Sequence, residues 1–250
     1  TFGSYAMYLA MTRLTSNFYL GMFAGVIAGA AVALIIEITS YKPLLIKNSA
    51  RSSLTIIGLG ISTIGTNAII LVFSSRFKVI PTDFGGKSVR ILDAYVSAID
   101  IVIVLICLAM LFGVQMIINK TRLGLAIRAA SHDLDSASLM GVNVQQLLTI
   151  VFVLAGAMAG LAGVMKATKY QAYPALAANM TNKSFIAAVV GGLGSLEGAV
   201  IGSFVLAMGE VMISGYVSSE LRDLFSYGLL IAILLIRPRG IMGKRFDDKA

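Results

Sequence analysis

The sequence predicts an all-α protein that crosses a membrane several times. Of its 250 residues, 58% are hydrophobic and only 13% are charged, whereas soluble globular chains carry about 25% charged residues. The apolar residues are also gathered into long runs, and residues 14–36, 52–75 and 136–165 contain no charge. Because about 20 apolar residues are enough for a helix to cross a bilayer, these runs indicate a polytopic α-helical membrane protein.

Taken in order, the apolar runs predict about seven or eight membrane segments in a single transmembrane domain, 1–250. The chain opens on TFGSYAMYLAM, which resembles the second half of a span, so we expect an N-terminal portion to precede it. The predicted segments are 1–12, 17–36, 52–73, 95–118, 146–165, 184–192, 198–214 and a last span that ends at Ile236.

Glycine spacing predicts close helix packing in the first full span. Gly21, Gly25 and Gly29 recur every four residues and form two overlapping GxxxG motifs. Small residues at this spacing let two helix backbones approach within a bilayer, where packing drives helix association. The span at 146–165 also carries Gly156, Gly160 and Gly163.

One apolar region is interrupted by the glycine-rich stretch GGLGSLEG at 191–198. Gly191, Gly192 and Gly194 predict a broken helix, and unwound backbone at membrane depth is tolerated only when it is buried in protein or lines water. Two further polar residues, Asn67 and Glu210, fall within predicted spans. Asn67 indicates either a substrate path or a hydrogen bond between helices, the second being the commoner role of a membrane amide. Glu210 is the clearest membrane candidate for an ion relay, although one carboxylate favours an external source of energy. Both residues are candidates for the substrate path.

Residues 119–145 form the long polar passage of the second half of the chain. A basic part with Lys120, Arg122 and Arg128 precedes a short segment whose two ends carry helix signals. Asp133 or Ser131 is expected to cap the start of a helix, and Gly141 is expected to end it in the left-handed conformation.

Within this short helix, Leu134, Ala137 and Met140 recur in steps of three and should lie near one face. A helix of this length is unstable alone in water. It therefore needs a surface to lie against, and a groove on a partner protein is one such surface. An ordinary connecting loop is the alternative interpretation.

The sequence lacks the motifs of the common enzyme classes. It contains no GxxxxGK[ST], GxSxG or HExxH motif, and Glu197 stands where the third glycine of a GxGxxG would be needed. The lone His132 and the lone Cys107 provide no metal-ligand set. We expect a protein that is not a catalyst by itself and that holds no metal or cofactor. If it moves a solute against a gradient, the energy must come from an ion or from another subunit.

The net charge of +8 does not indicate a nucleic-acid partner, because Lys and Arg gather at the cytoplasmic ends of membrane helices. The basic tail, with Arg237, Arg239, Lys244 and Arg245, predicts a cytoplasmic C-terminus. Counting spans back from the tail places 119–145 and 37–51 in the cytoplasm, with eleven of the 20 Lys and Arg residues on that side.

The stretch TRLGLAIRAASHDLDSASLMGVNVQQLLTIVFVLAGAMAGLAGVM resembles the integral membrane permeases of branched-chain amino acid ABC transporters. GGLGSLEGAVIGS and the RPRGIMG tail are similar to the same family. Asp135-Ser136-Ala137-x-x-x-Gly141 is also similar to the Glu-Ala-Ala-x-x-x-Gly loop of importer permeases, although Asp and Ser replace two of its residues.

The resemblance implies a multi-pass subunit in the bacterial inner membrane that works with a second permease, cytoplasmic ATPases and an extracytoplasmic substrate-binding protein. It also implies that 119–145 is the cytoplasmic segment that contacts an ATPase. Candidate residues for that contact are Arg128, Asp133, Asp135, Ala137 and Gly141. A zwitterionic substrate could meet helix ends near Gly191–Gly194, and related permeases for sugars, urea or nucleosides are alternatives, as is an ion-coupled secondary transporter.

This orientation makes a direct prediction for thiol labelling. A cysteine placed at Ser131 or Ser136 should react with a membrane-impermeant reagent only from the cytoplasmic side, and one at Thr82 only from outside. Labelling of intact cells and of inverted vesicles measures this difference. The opposite pattern would contradict the orientation and the contact with a cytoplasmic ATPase.

Overall fold

A computed structural model describes residues 1–14, 17–46, 51–81, 88–91, 94–237 and 240–243 of the chain. Thr82, Arg239, Lys244 and Arg245 lie outside these residues. The described chain is almost entirely helical, which confirms the predicted fold class, and it separates into two compact units, Thr1–Leu176 and Ala177–Ala250.

The helices of the first unit alternate with short connections. They are α1 (Phe2–Arg13), α2 (Phe18–Ile36), a π-helical segment (Glu37–Tyr41), α3 (Lys42–Ile46), α4 (Arg51–Phe73), α5 (Ala98–Lys120), α6 (Arg122–His132), α7 (Leu134–Leu139) and α8 (Val144–Tyr170). Two short antiparallel strands, β1 (Ser88–Ile91) and β2 (Ala94–Ser97), precede α5. The helices of the second unit are α9 (Leu176–Gly191), α10 (Leu196–Tyr216) and α11 (Leu221–Ile236).

Five helical stretches in the described chain are long and apolar enough to cross a membrane. They are Phe18–Leu45, Ser52–Phe73, Ala98–Lys120, Val144–Tyr170 and Leu196–Tyr216. The remaining apolar helices are shorter, with 12 residues in α1 and 16 each in α9 and α11. The predicted number of seven or eight segments agrees with this arrangement only approximately.

Glycine contacts hold α1, α2 and α8 together. A Cβ added at Gly29 of α2 would lie 2.5 Å from the carbonyl oxygen of Gly156 and 2.7 Å from Cα of Gly160, both in α8. A Cβ at Gly25 would lie 2.8 Å from the carbonyl oxygen of Gly3 in α1. The sequence prediction of close packing at the GxxxG motifs is therefore confirmed, and the glycines of α8 are its partners.

A buried apolar cluster lies beside these glycine contacts. It includes Tyr5, Met7 and Met11 of α1 together with Val164 and Met165 of α8. Antiparallel backbone hydrogen bonds of 2.9 Å between Lys78 and Ala172 tie the segment after α4 to the segment after α8. The cluster and this bridge position the ends of the long helices within the first unit.

The structure corrects two predicted helix ends. The segment predicted to end at residue 165 continues as α8 to Tyr170. Its lysines are accommodated locally, because Lys169 forms a 2.6 Å ion pair with Asp100 of α5 and Lys166 lies 4.3 Å from the centre of the Tyr170 ring. The span expected to begin at Tyr95 begins at Ala98, because 94–97 forms β2.

The segment 37–51, predicted to lie in the cytoplasm between two spans, is also partly helical. The α-helical pattern of α2 changes to a π-helical turn at Glu37 and returns to α-helix at Lys42. The backbone N–H of Lys42 donates to the carbonyl of Glu37, five residues back. This wider turn ends directly before Pro43, which has no N–H to donate to a helical hydrogen bond.

The packing of α2 on α8 yields a test of the fold. Gly29→Ala would force its Cβ against backbone atoms of α8, and overpacking of this kind costs roughly 1–3 kcal/mol. We expect the purified protein in detergent to unfold at a lower temperature. At Gly113 of α5 an added Cβ would meet no atom within 4 Å, so Gly113→Ala should not lower that temperature. Equal decreases for both variants would contradict the glycine contact.

Candidate functional site

The central segment contains two helices in place of the single one predicted. The basic part forms α6, an amphipathic helix whose N-cap is Thr121; the Oγ1 of Thr121 accepts a 3.1 Å hydrogen bond from the backbone N–H of Gly124. A Cβ at Gly124 would overlap the carbonyl oxygen of Ile118 at the end of α5. Helix α6 was not predicted from the sequence. The signal for it in the sequence is Thr121, a residue type that caps helix starts, followed three residues later by Gly124.

The second helix, α7, is capped by Asp133, one of the two residues predicted to cap it. Oδ1 of Asp133 accepts a 3.0 Å hydrogen bond from the backbone N–H of Asp135, and Oδ2 accepts a 2.5 Å bond from the hydroxyl of Ser136. The bond from Ser136 is the main reason that the pKa of Asp133 is lowered from its usual value. The cap therefore stays ionised at neutral pH, in the position that best stabilises a helix start.

Gly141 ends α7 in the predicted left-handed conformation, with φ +86°. The N–H of Val142 donates to the carbonyl of Ala137 at 3.1 Å, and the N–H of Gly141 donates to the carbonyl of Ser138 at 3.0 Å. This pair of bonds is the Schellman motif, which satisfies carbonyls that a helix end would otherwise leave unpaired. A side chain at 141 would be strained by the backbone angle alone, because an added Cβ meets no atom within 4 Å.

The exposed face of α7 differs from the predicted one. Ala137 is only 4% exposed, so it packs inside the chain and cannot be part of an open contact surface. Leu139 and Met140 are instead 87% and 86% exposed, and Leu134 is half exposed. Ala137 faces the interior of the chain, and three apolar side chains are exposed at and just after α7. We call the surface formed by Leu134, Leu139 and Met140 the α7 surface.

The charged residues predicted to contact the ATPase lie on the same segment, 119–145. Arg128 is exposed on α6 and donates from its guanidinium to Oδ1 of Asn119 at 3.3 Å. Asp135 is exposed in the first turn of α7. The structure thus brings Arg128, Asp133, Asp135 and Gly141 onto one solvent-exposed segment beside the α7 surface, while Ala137 lies beneath it.

The glycine-rich break in the second unit is present as predicted. α9 ends at Gly191 and α10 begins at Leu196, with positive φ angles of 110° at Gly192 and 89° at Gly194. Gly191 is enclosed by the backbone of Gly198, and Gly192 is approached by Gly240. Gly194 is exposed.

The segment after α11 also closes the end of α9. The N–H of Ile241 donates to the carbonyl of Val190, and that of Met242 donates to Gly191, both at 2.9 Å. These bonds satisfy carbonyls at the C-terminus of α9. Gly191 and Gly192 therefore have a local packing role in the second unit, which explains why these positions are glycine.

Glu210 is held in a polar cluster at the contact of α9, α10 and α11. Its carboxylate accepts from Nζ of Lys183 at 2.7 and 2.8 Å, and from the hydroxyl of Ser226 at 2.6 Å. Asp223 lies 3.6 Å from the same ammonium group. These bonds give Glu210 a packing role among the three helices.

Asn67 of α4 is exposed, and its side-chain amide donates to the carbonyl of Thr63 at 2.8 Å, one turn back in the same helix. It lies in the first unit, whereas the other predicted path residues lie in the second. Among the described residues, no group of three or more His, Cys, Asp or Glu side chains could hold a metal ion.

Comparison with known proteins identifies the family. The family described as "Branched-chain amino acid transport system / permease component" matches residues 1–234. The permease protein LivH of the high-affinity branched-chain amino acid transport system of Salmonella typhimurium is 34% identical over 236 residues, covering 92% of this chain and 75% of that protein. The corresponding BraD protein of Pseudomonas aeruginosa is 32% identical, covering 99% of this chain and 84% of that protein.

A more distant relative is the xylose transport permease XylH of Escherichia coli, which is 31% identical over 53% of this chain and 35% of its own length. No solved structure matches. The match along nearly all of the chain, together with the multi-pass helical fold, shows that the chain is a membrane protein that belongs to the family of permease components of branched-chain amino acid transport systems.

Proposed function

We propose that this chain is the membrane-spanning permease subunit of an ATP-driven importer for branched-chain amino acids in the bacterial inner membrane. In this proposal residues 1–250 act as one permease domain. The chain itself is not an enzyme, and separate cytoplasmic ATPase subunits supply the energy. A second permease completes the membrane path, and an extracytoplasmic binding protein delivers the amino acid.

The observation that carries this proposal is the α7 surface. Leu139 and Met140 are among the most exposed large apolar side chains in the described chain, yet Leu139 is the last residue and Met140 the C-cap of a helix that is fixed by hydrogen bonds at its two ends. An ordered, solvent-exposed apolar surface on a short helix is typical of a helix that lies in a groove of a partner. Asp135 and Arg128 would surround that contact with charges.

The proposal also includes a second permease subunit. Asn67 is exposed within α4, a helix with very little of its apolar length buried inside the chain. The Asn67 amide donates one hydrogen bond to Thr63 within α4, and a neighbouring helix can supply partners for its remaining polar groups. A second permease against α4 would supply such a helix. Asn67, Gly191, Gly192, Gly194 and Glu210 stay predicted residues of the substrate path.

The comparisons favour branched-chain amino acids over other substrates. The relatives named for branched-chain amino acid transport match more than nine-tenths of this chain, and the xylose permease matches about half of it. The alternatives are an importer for a sugar, urea or a nucleoside, and an ion-coupled transporter. To distinguish the substrates, each compound is added in excess and the uptake of labelled leucine is measured.

Two substitutions test the contact with the ATPase. Met140→Glu places a carboxylate on the α7 surface, and a charge buried in a contact without a partner costs several kcal/mol. We expect at least about a tenfold loss of ATPase binding, measured by copurification from the assembled transporter, together with loss of leucine uptake. Leu14→Glu provides the control, because Leu14 is 81% exposed but lies after α1.

Gly141→Val should give the same defect by another route. A β-branched residue is a conformational outlier at positive φ, so the Schellman motif should break and the α7 surface should be displaced. The membrane spans are untouched, so both variants should accumulate normally in the membrane. Wild-type ATPase copurification and uptake in both Met140→Glu and Gly141→Val would contradict the proposal.

A further inference from the structure

A cavity of about 230 Å³ lies in the first unit between the end of the first long span and the start of α8. It is lined by Glu37, Lys42, Leu45, Val144, Gln145 and Leu148. Pockets for drug-sized ligands are about 300–1,000 Å³, so this smaller cavity suits a small metabolite.

Glu37 is the most unusual residue of this cavity. It is only 1% exposed, and it is one of the few buried charged or polar residues in the described chain. Its Oε1 accepts a 3.0 Å hydrogen bond from the hydroxyl of Thr149 in α8. Its Oε2 has no hydrogen-bond partner among the described residues. A buried carboxylate oxygen without a hydrogen-bond donor costs free energy. This indicates that the cavity accommodates a ligand that supplies the missing donor.

The π-helical turn explains how a second charge reaches the same cavity. Residues five apart in a regular α-helix lie about 140° apart around the axis. In the π-helical turn the hydrogen bond joins residues five apart, and Lys42 donates its backbone N–H to the carbonyl of Glu37. Glu37 and Lys42 therefore line one cavity, and π-turns of this kind are frequently found at functional sites.

The chemistry of the lining is that of a receptor for a zwitterion with an apolar side chain. The carboxylate of Glu37 suits an ammonium group and the ammonium of Lys42 suits a carboxylate, and hydrogen bonds between such charged groups are the strong ones. Leu45, Val144 and Leu148 provide an apolar wall beside these charges. A free amino acid with an aliphatic side chain satisfies all three features.

The position of the cavity suggests what its occupancy does. Val144 and Gln145 begin α8 directly after the loop that follows Gly141, so the cavity adjoins the segment that carries the α7 surface. We propose that the cavity is a binding site for a free aliphatic amino acid on the ATPase-facing side of the permease, through which the imported product acts back on the coupling segment. This inference rests on the proposed function for its orientation and its ligand class.

The test is binding of tritiated leucine to the purified transporter complex without its binding protein. The wild-type complex should bind leucine saturably and discriminate against leucinamide, which lacks the carboxylate, and 4-methylpentanoate, which lacks the ammonium. Glu37→Gln should weaken leucine binding at least tenfold. Lys42→Met should weaken it similarly and also abolish the discrimination against leucinamide. Glu220→Gln, an exposed carboxylate at the start of α11, should bind as the wild type does.

A second measurement tests the site without substituting Glu37 or Lys42, in case either variant fails to fold. Leucine should protect a cysteine at Gln145 from a thiol reagent, in a background where Cys107 is replaced by Ser. Absence of wild-type binding, unchanged binding in both cavity variants, or absence of protection would overturn the site. Leucine uptake by the wild-type transporter in that case would leave the proposed function intact, whereas binding without any ATP-dependent uptake would contradict the function and not the site.

Discussion

Backbone contact between the glycines of α2 and α8 is the interaction on which the rest of the first unit depends. Gly25 and Gly29 meet Gly156 and Gly160 so closely that a methyl group at Gly29 would collide with backbone atoms. Within a bilayer the lipid is as apolar as the helices, so close packing replaces the hydrophobic effect as the source of association. The contact of α2 with α8 is accordingly the most extensive between helices in the described chain.

This contact has consequences beyond the membrane interior. Because α2 and α8 are held in register, the end of the first long span lies against the start of α8, where Glu37 bonds to Thr149. The same start of α8 follows the loop after Gly141, which leads back to α7. The packing therefore places a buried carboxylate, a cavity and an exposed apolar helix in one region of the first unit.

Much of this arrangement could be predicted where the sequence signal is local. The cap at Asp133, the end of α7 at Gly141 and the break at Gly192 and Gly194 each depend on the conformational preference of one residue. The glycine spacing of α2 predicted a close contact, although the sequence did not identify α8 as the partner. Family membership followed from long similar stretches in the second half of the chain.

The predictions that were wrong concern residues whose conformation or burial depends on tertiary contacts. The segment predicted at 146–165 ends before Lys166, but an ion pair of Lys169 with Asp100 and the contact of Lys166 with the Tyr170 ring accommodate both lysines within α8. Ala137 matched the spacing of an exposed face, but packing within the chain buries it. The cavity was not predicted because it depends on a π-helical turn. Such a turn brings together residues five apart, which the α-helical spacing of three or four does not. Glu37, directly after the charge-free run 14–36, was the signal in the sequence.

We propose above all that the α7 surface is where the permease contacts its ATPase. The most direct measurement is to place a photo-crosslinking amino acid at Met140 in the assembled transporter and to identify the crosslinked partner by mass spectrometry. We expect a crosslink to the ATPase subunit from Met140, and no such crosslink from Leu14, whose exposure is similar. A crosslink from Met140 to lipid or to the permease alone, with none to the ATPase, would contradict the proposal.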